Sequence, residues 1–188
     1  MLKRLAIIGW IALVVFPTLS FAVDIGGVTL PDSLTAGNVP LVLNGAGLRE
    51  KFFVKVYAGA LYLQERSADS RKIIEAEEPM AIRMHFIHDG VSSRKLIETW
   101  NEGFQQSTGG NIAPIAPQIE KFNACFSEDA RSGDIYDIIY TPGQGVRVYN
   151  KNQLRGAIQG NAFKKSLFAI WLGEKPADKG LKEGMLGN

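Results

Sequence analysis

Arg49 is the residue whose type and setting best suit chemistry. It closes the run Leu41 to Arg49, whose glycines are Gly45 and Gly47. A guanidinium is always charged and presents a planar fork of donors, so it grips a carboxylate or phenolate through two hydrogen bonds. Tyr57 lies in the next run, Phe52 to Leu63, rich in Val, Phe, Tyr and Leu. Its phenol would add a hydrogen bond to the same anion. A charged fork beside an aromatic, β-prone run reads as an anion site at the edge of an apolar surface. The competing reading is a turn arginine, solvated or paired with a surface acid. The hairpin register decides whether Arg49 and Tyr57 share a face. A two-residue loop at Glu50-Lys51 pairs Arg49 with Phe52 and turns it away from Tyr57. A three-residue or bulged connection restores a shared face. The residue pattern allows both.

Other candidate chemistry is thin. His85 and His88 fall at odd spacing on a predicted strand, hence on opposite faces, and make poor joint ligands. Two histidines and the single Cys125 are too few for a usual zinc constellation. Cys125 has no partner for a disulfide and reads as a small buried hydrophobe. Glu77-Glu78 and Glu128-Asp129 read as solvated loop charges. Trp100, Phe104, Phe122, Phe163, Phe168 and Trp171 fit helix faces and read as core. No nucleophile elbow, phosphate loop or dinucleotide fingerprint is present, so no cofactor is expected.

The elements that must hold Arg49 and Tyr57 follow from periodicity. Val23 to Leu30 reads as a short strand with a Gly26-Gly27 turn, and two long strands follow around a charged turn. Ala68 to Ala76 reads as a helix. Met80 to His88 alternates as a strand. Leu96, Ile97, Trp100 and Phe104 recur at helical spacing within Val91 to Gln106, with Ser92 or Ser93 as N-cap. Gln118 to Phe126 is a further helix. Ile135 to Thr141, Gly145 to Tyr149 and Gln153 to Ile158 form strands joined by tight turns. Phe163 to Leu172 and Lys179 to Leu186 close the chain as helices. Successive hairpins with grouped helices predict an α+β fold, an antiparallel sheet with helices on one face.

Residues 1–22 read as a signal peptide. Lys3 and Arg4 precede the apolar run Leu5 to Phe16, and Ser20-Phe21-Ala22 offers a cleavage site before Val23. The remainder, 23–188, then forms one domain, periplasmic or secreted, with no membrane span after the signal. Loss of Lys3 and Arg4 takes the formal charge from +2 to 0, which argues against a nucleic-acid partner.

The segments NGAGLREKFFVKVYAGALYL, VSSRKLIETW and GNAFKKSLFAIWLGE resemble the chalcone isomerase superfamily, above all its bacterial, exported chalcone isomerase-like branch. The resemblance implies an open-faced β-sandwich, a large antiparallel sheet with a helical layer on one face. It implies that Arg49 holds an anion, a phenolate in the isomerases and a carboxylate in the fatty-acid-binding members. The enzymes' threonine on the next strand falls on Tyr57, a tyrosine as in the fatty-acid-binding members. Their helix-start tyrosine falls on Ser92, their asparagine a turn later on Thr99, and a polar residue of the last major helix on Ile170. The pattern implies a non-catalytic binding protein for a fatty acid or similar amphipathic carboxylate. The alternative is an isomerase of the intramolecular-lyase type, acting through Arg49 on an unidentified substrate.

Overall fold

The computed structural model describes residues 22–188, so the signal-peptide reading falls, but for Ala22, outside the described residues. Two strands, β1 (Ala22–Ile25) and β2 (Val28–Pro31), form a small hairpin where a single strand was expected. Seven more follow in sequence order in one antiparallel sheet: β3 (Ser33–Ala36), β4 (Val39–Lys51), β5 (Val54–Leu63), β6 (Met80–Phe86), β7 (Ile135–Thr141), β8 (Gly145–Asn150) and β9 (Gln153–Ile158). The helices α1 (Ser70–Glu75), α2 (Ser93–Ser107), α3 (Ala116–Ala124), α4 (Asn161–Leu172) and α5 (Lys179–Met185) occupy the connections and the C-terminus.

Strand alternation divides the interior in two. Met80, Ile82, Met84 and Phe86 face the helices in one cluster with Trp100, Phe104, Phe122, Phe163, Phe168 and Trp171. Ala58, Ala60, Tyr62 and Ala81 face the other way, against Leu30, Leu41 and Leu43. The β1–β2 hairpin caps that second face, and the Tyr62 hydroxyl donates to the Pro31 carbonyl at 2.9 Å. Farther along the same face, Arg83 and Asp137 are cross-strand partners joined by two 2.7 Å hydrogen bonds. A sheet with helices on one side and a partial strand cover on the other is an open-faced sandwich.

Two local features place the site. Ser92 caps α2, its Oγ accepting from the Lys95 N–H at 3.3 Å. Leu96, Trp100 and Phe104 bury at helical spacing, and Gly103 lets the Ile170 side chain of α4 approach. The β4–β5 hairpin does not turn at Glu50-Lys51. Those residues stay in β4, Lys51 pairs with Val54, and the loop is Phe52-Phe53. A register shift between Arg49 and Glu50 then sets Arg49 opposite Tyr57 and Glu50 opposite Lys55. The bulge puts Arg49 and Tyr57 on one face.

Candidate functional site

Arg49 and Tyr57 project from adjacent strands toward the helix layer, where the C-terminal helix crosses the sheet. The helix lies very close. A Cβ on Gly45 would collide with the Gly184 carbonyl, and one on Gly47 would come within 3.0 Å of the Leu181 Cα. The two glycines therefore admit a backbone rather than loosen one. Asn44 fastens the same contact, its amide donating to the Met185 and Ser67 carbonyls at 2.8 and 3.0 Å and its oxygen accepting from the Ser67 N–H at 2.7 Å.

This packing brings Asp178, the N-cap of α5, onto Arg49. Asp178 Oδ1 accepts from the Leu181 N–H at 3.0 Å, and Oδ2 accepts from Arg49 Nη1 at 3.1 Å. The same Nη1 also donates to the Glu50 carbonyl at 3.0 Å. Arg49's hydrogen bonds among the described residues thus leave from one nitrogen, so half of its fork remains open. Both members of the pair are 17% exposed, so the bridge sits at the edge of solvent.

Tyr57 is buried, and burial pushes its hydroxyl up to about 12, against the opposing effects of Trp171 and Arg49. It remains a neutral donor across the physiological range. Trp171 Nε1 donates to the Tyr57 oxygen at 3.0 Å. That bond fixes the phenol and leaves its proton for another acceptor.

Beside this pair a cleft of about 390 Å³ opens between the β4–β5 hairpin and α2. Val54, Val56, Val91, Leu96, Trp100 and Ala177 make its apolar walls, Arg49 and Tyr57 its charged and polar end, and Lys51, His88 and Lys95 further basic lining. Its volume falls within the ordinary range for small-molecule sites. Trp100 carries a buried indole N–H with no hydrogen-bond partner among the described residues. The centre of the molecule is closed: Trp100 and Trp171 pack at 5.4 Å, and Trp100 and Phe126 at 5.3 Å. The open space between sheet and helices is therefore at the rim.

The remaining candidates are also accounted for. Ser92 and Thr99 line the cleft. The Ser92 oxygen caps its helix, and the Thr99 hydroxyl donates to the Lys95 carbonyl at 2.8 Å. Ile170 is buried against Gly103 and does not line the cleft. Cys125 is buried, and desolvation raises its thiol to about 11, as an inert core residue requires. Among the described residues no cluster of three or more His, Cys, Asp or Glu could hold a metal.

The family model for chalcone isomerase-like proteins matches residues 22–187. The chain belongs to the chalcone isomerase-like family. Among its relatives is fatty-acid-binding protein 1 of Arabidopsis thaliana, 21% identical over 123 residues, which are 62% of this chain and 43% of that protein. The alignment thus spans less than half of that relative's length. The crystal structure of an Arabidopsis thaliana fatty-acid-binding protein superposes with a TM-score of 0.72 at 19% identity, covering 89% of this chain and 97% of the other. The chalcone isomerase-like fold expected from the sequence is therefore the fold observed.

Within this family frame, four of the five positions compared by sequence, Arg49, Tyr57, Ser92 and Thr99, meet around one cleft. Sequence reasoning missed Asp178 and placed Trp171 only in the core. An Asp three residues before Leu181 is an N-cap signal, but nothing local reveals that it reaches Arg49.

Proposed function

We propose that this protein binds a fatty acid or a similar amphipathic carboxylate without transforming it. The observation that carries the reading is the direct pairing of Arg49 with Tyr57 at the polar end of an apolar cleft. Arg49 keeps donors free for a carboxylate, and Tyr57 keeps its proton to give. The apolar walls would take the chain at about 0.8 kcal/mol per buried CH₂. The name of the Arabidopsis thaliana relative agrees with this ligand class.

An isomerase needs several donors aimed at the developing enolate. Here the Thr99 proton is committed to its own helix and the position on the last major helix is the buried Ile170, so besides Arg49 and Tyr57 only the Ser92 hydroxyl, whose oxygen caps α2, keeps a proton to donate among the five positions. We expect no flavanone formation from chalcones above the spontaneous rate. Stereoselective turnover by the purified protein would promote the isomerase reading.

Export belongs to the same proposal. The basic start, the apolar run and Ser20-Phe21-Ala22 support cleavage before Val23 and a periplasmic or secreted protein of the bacterial, exported branch. N-terminal sequencing of the natively expressed protein checks it, and an uncleaved cytoplasmic chain rejects it.

The central test is calorimetric titration of delipidated protein with saturated fatty acids of several lengths. Arg49→Ala should weaken binding by about 2–5 kcal/mol, the range for truncating one partner of a buried charge pair. Arg49→Lys should restore only part, because an ammonium lacks the fork. Equal binding by wild type and Arg49→Ala removes Arg49 as the anchor. If wild type binds no fatty acid, the binding reading fails.

A further inference from the structure

The tip of the β4–β5 hairpin is built unlike an ordinary soluble turn. Phe52 and Phe53 are 85% and 102% exposed, and Val54 beside them is 41% exposed. Both phenylalanines hold positive φ, 49° and 65°. With Lys51 and Val54 paired, this is the signature of a type I′ turn. Such turns prefer Asn and Gly, and bulky residues with positive φ are outliers. The β8–β9 turn, with φ of 48° and 65°, uses Lys151 and Asn152. Packing does not explain the choice at the tip, since neither ring belongs to either core cluster.

The charges around the tip are mainly basic. Lys51 and Lys55 flank the two rings and are exposed, with Lys51 Nζ 5.9 Å from the Phe52 centroid. Arg94 and Lys95 stand on the first turn of α2. Of the nearby acids, Glu98 is held by Lys95 at 3.0 Å and Asp178 by Arg49 at 3.1 Å, while Glu50 is exposed opposite Lys55, which leaves Lys51 and Arg94 as the basic excess. A protruding apolar wedge with a basic collar suits an anionic lipid surface. A second copy of the tip would bring like charges together.

We infer that the Phe52-Phe53 tip docks this protein on an anionic phospholipid bilayer, with both rings in the interfacial layer and Lys51 and Lys55 against the headgroups. Lys51, Phe52 and Val54 also line the cleft, so docking sets the cleft beside the lipid. An amphiphile could then move between bilayer and cleft without crossing bulk water. That route rests on the ligand reading above, whereas docking rests on the hairpin alone.

The test is flotation of the chain from Val23 onward, which holds both core clusters, with vesicles of phosphatidylcholine alone or mixed equally with phosphatidylglycerol. Wild type should float with the anionic vesicles and detach in high salt. The double variant Phe52→Asn, Phe53→Gly installs the preferred turn pair, so its melting temperature should match or exceed wild type. Its partitioning should fall at least about tenfold. Lys51→Glu with Lys55→Glu should abolish the preference for anionic lipid. Wild type that stays unbound, or an Asn-Gly variant that floats as well as wild type, overturns the inference. Sedimentation showing a Phe52-Phe53-dependent dimer, with no flotation, assigns the tip to a second copy instead. A protein that floats but binds no fatty acid keeps the docking and loses the transfer route.

Discussion

Asp178 competes for the guanidinium that a ligand carboxylate would use. Its Oδ2 lies 3.1 Å from Arg49 Nη1, so a second carboxylate must either displace it or take the open side of the fork. Asp178→Asn separates the charge from the cap. Asparagine caps a helix as well as aspartate does, so α5 should remain in place. Removing the rival anion should tighten fatty-acid binding by about 1 kcal/mol or less, the usual size of a solvent-edge ion pair, or roughly fivefold at most. Calorimetry on the variant decides it, and weaker binding would mean that Asp178 positions Arg49 instead of competing for it. Tyr57→Phe should cost about 0.5–1.5 kcal/mol of affinity, one neutral hydrogen bond. That cost should stay constant from neutral pH past the ordinary tyrosine range, because the Tyr57 hydroxyl is held up to about 12. A cost that vanishes as pH passes the ordinary tyrosine value would place the phenol in water.

At the scale of elements, α5 and β4 function as one unit. A Cβ at Gly45 would meet backbone of Gly184, Met185 and Gly187, none of which can turn aside as a side chain would. Gly45→Ala should therefore destabilise by about 1–3 kcal/mol, the range for overpacking. Hydrogen exchange should show faster opening of α5 in particular. A thermal melt and exchange pattern equal to wild type would mean that the helix shifts at no cost. The sequence makes one side of this unit readable and hides the other. Ile135–Thr141 and Gln153–Ile158 were legible to the residue because the turn-forming residues Pro142-Gly143-Gln144 and Asn150-Lys151-Asn152 mark where these hairpin strands stop and start. The Phe52-Phe53 turn was not, since two phenylalanines carry no turn signal and resemble the strand that follows. Gly45 and Gly47 looked like local flexibility because their partner, α5, lies at the far end of the chain. The same distance concealed Asp178. Arg49 and Tyr57 were found as types, but only the bulge beyond Arg49 makes them neighbours, and no residue there announces it.

For the whole molecule, the pH dependence of stability should carry the mark of one buried lysine. Lys164 of α4 is fully buried, and its Nζ donates to the carbonyls of Ile73, Ile74 and Ala76 at 3.2, 2.8 and 2.7 Å. It thereby satisfies carbonyls at the C-terminal end of α1 that the helix itself leaves open. Tyr140 and Phe168 place their rings about the same ammonium at 5.1 and 5.4 Å. Desolvation nevertheless dominates, reinforced by Lys165, and lowers the group to about 8 from its ordinary value of 10.5, against the pull of Glu75 and Glu77. Below the folded value both native and unfolded chains carry the proton, and the buried charge costs stability. Between the two values the native chain releases the proton while the unfolded chain keeps it, so stability rises with pH at up to about 1.4 kcal/mol per pH unit. Cys125 acts oppositely: its folded value of about 11 lies above the ordinary thiol value of 9.0, so its contribution is full at lower pH and fades as pH rises past that ordinary value. The effect of Lys164 should therefore stand out between about pH 8 and 9 and be offset beyond it. Lys164→Met isolates the lysine's effect, because the thiol contributes equally to both proteins. The variant loses the three carbonyl bonds and should be less stable than wild type at every pH. The gap between the two should widen from pH 8 upward, as read from urea midpoints at a series of pH values. A gap that stays constant with pH would show that Lys164 titrates in the native protein as it does in the unfolded chain, with its ammonium reached by water.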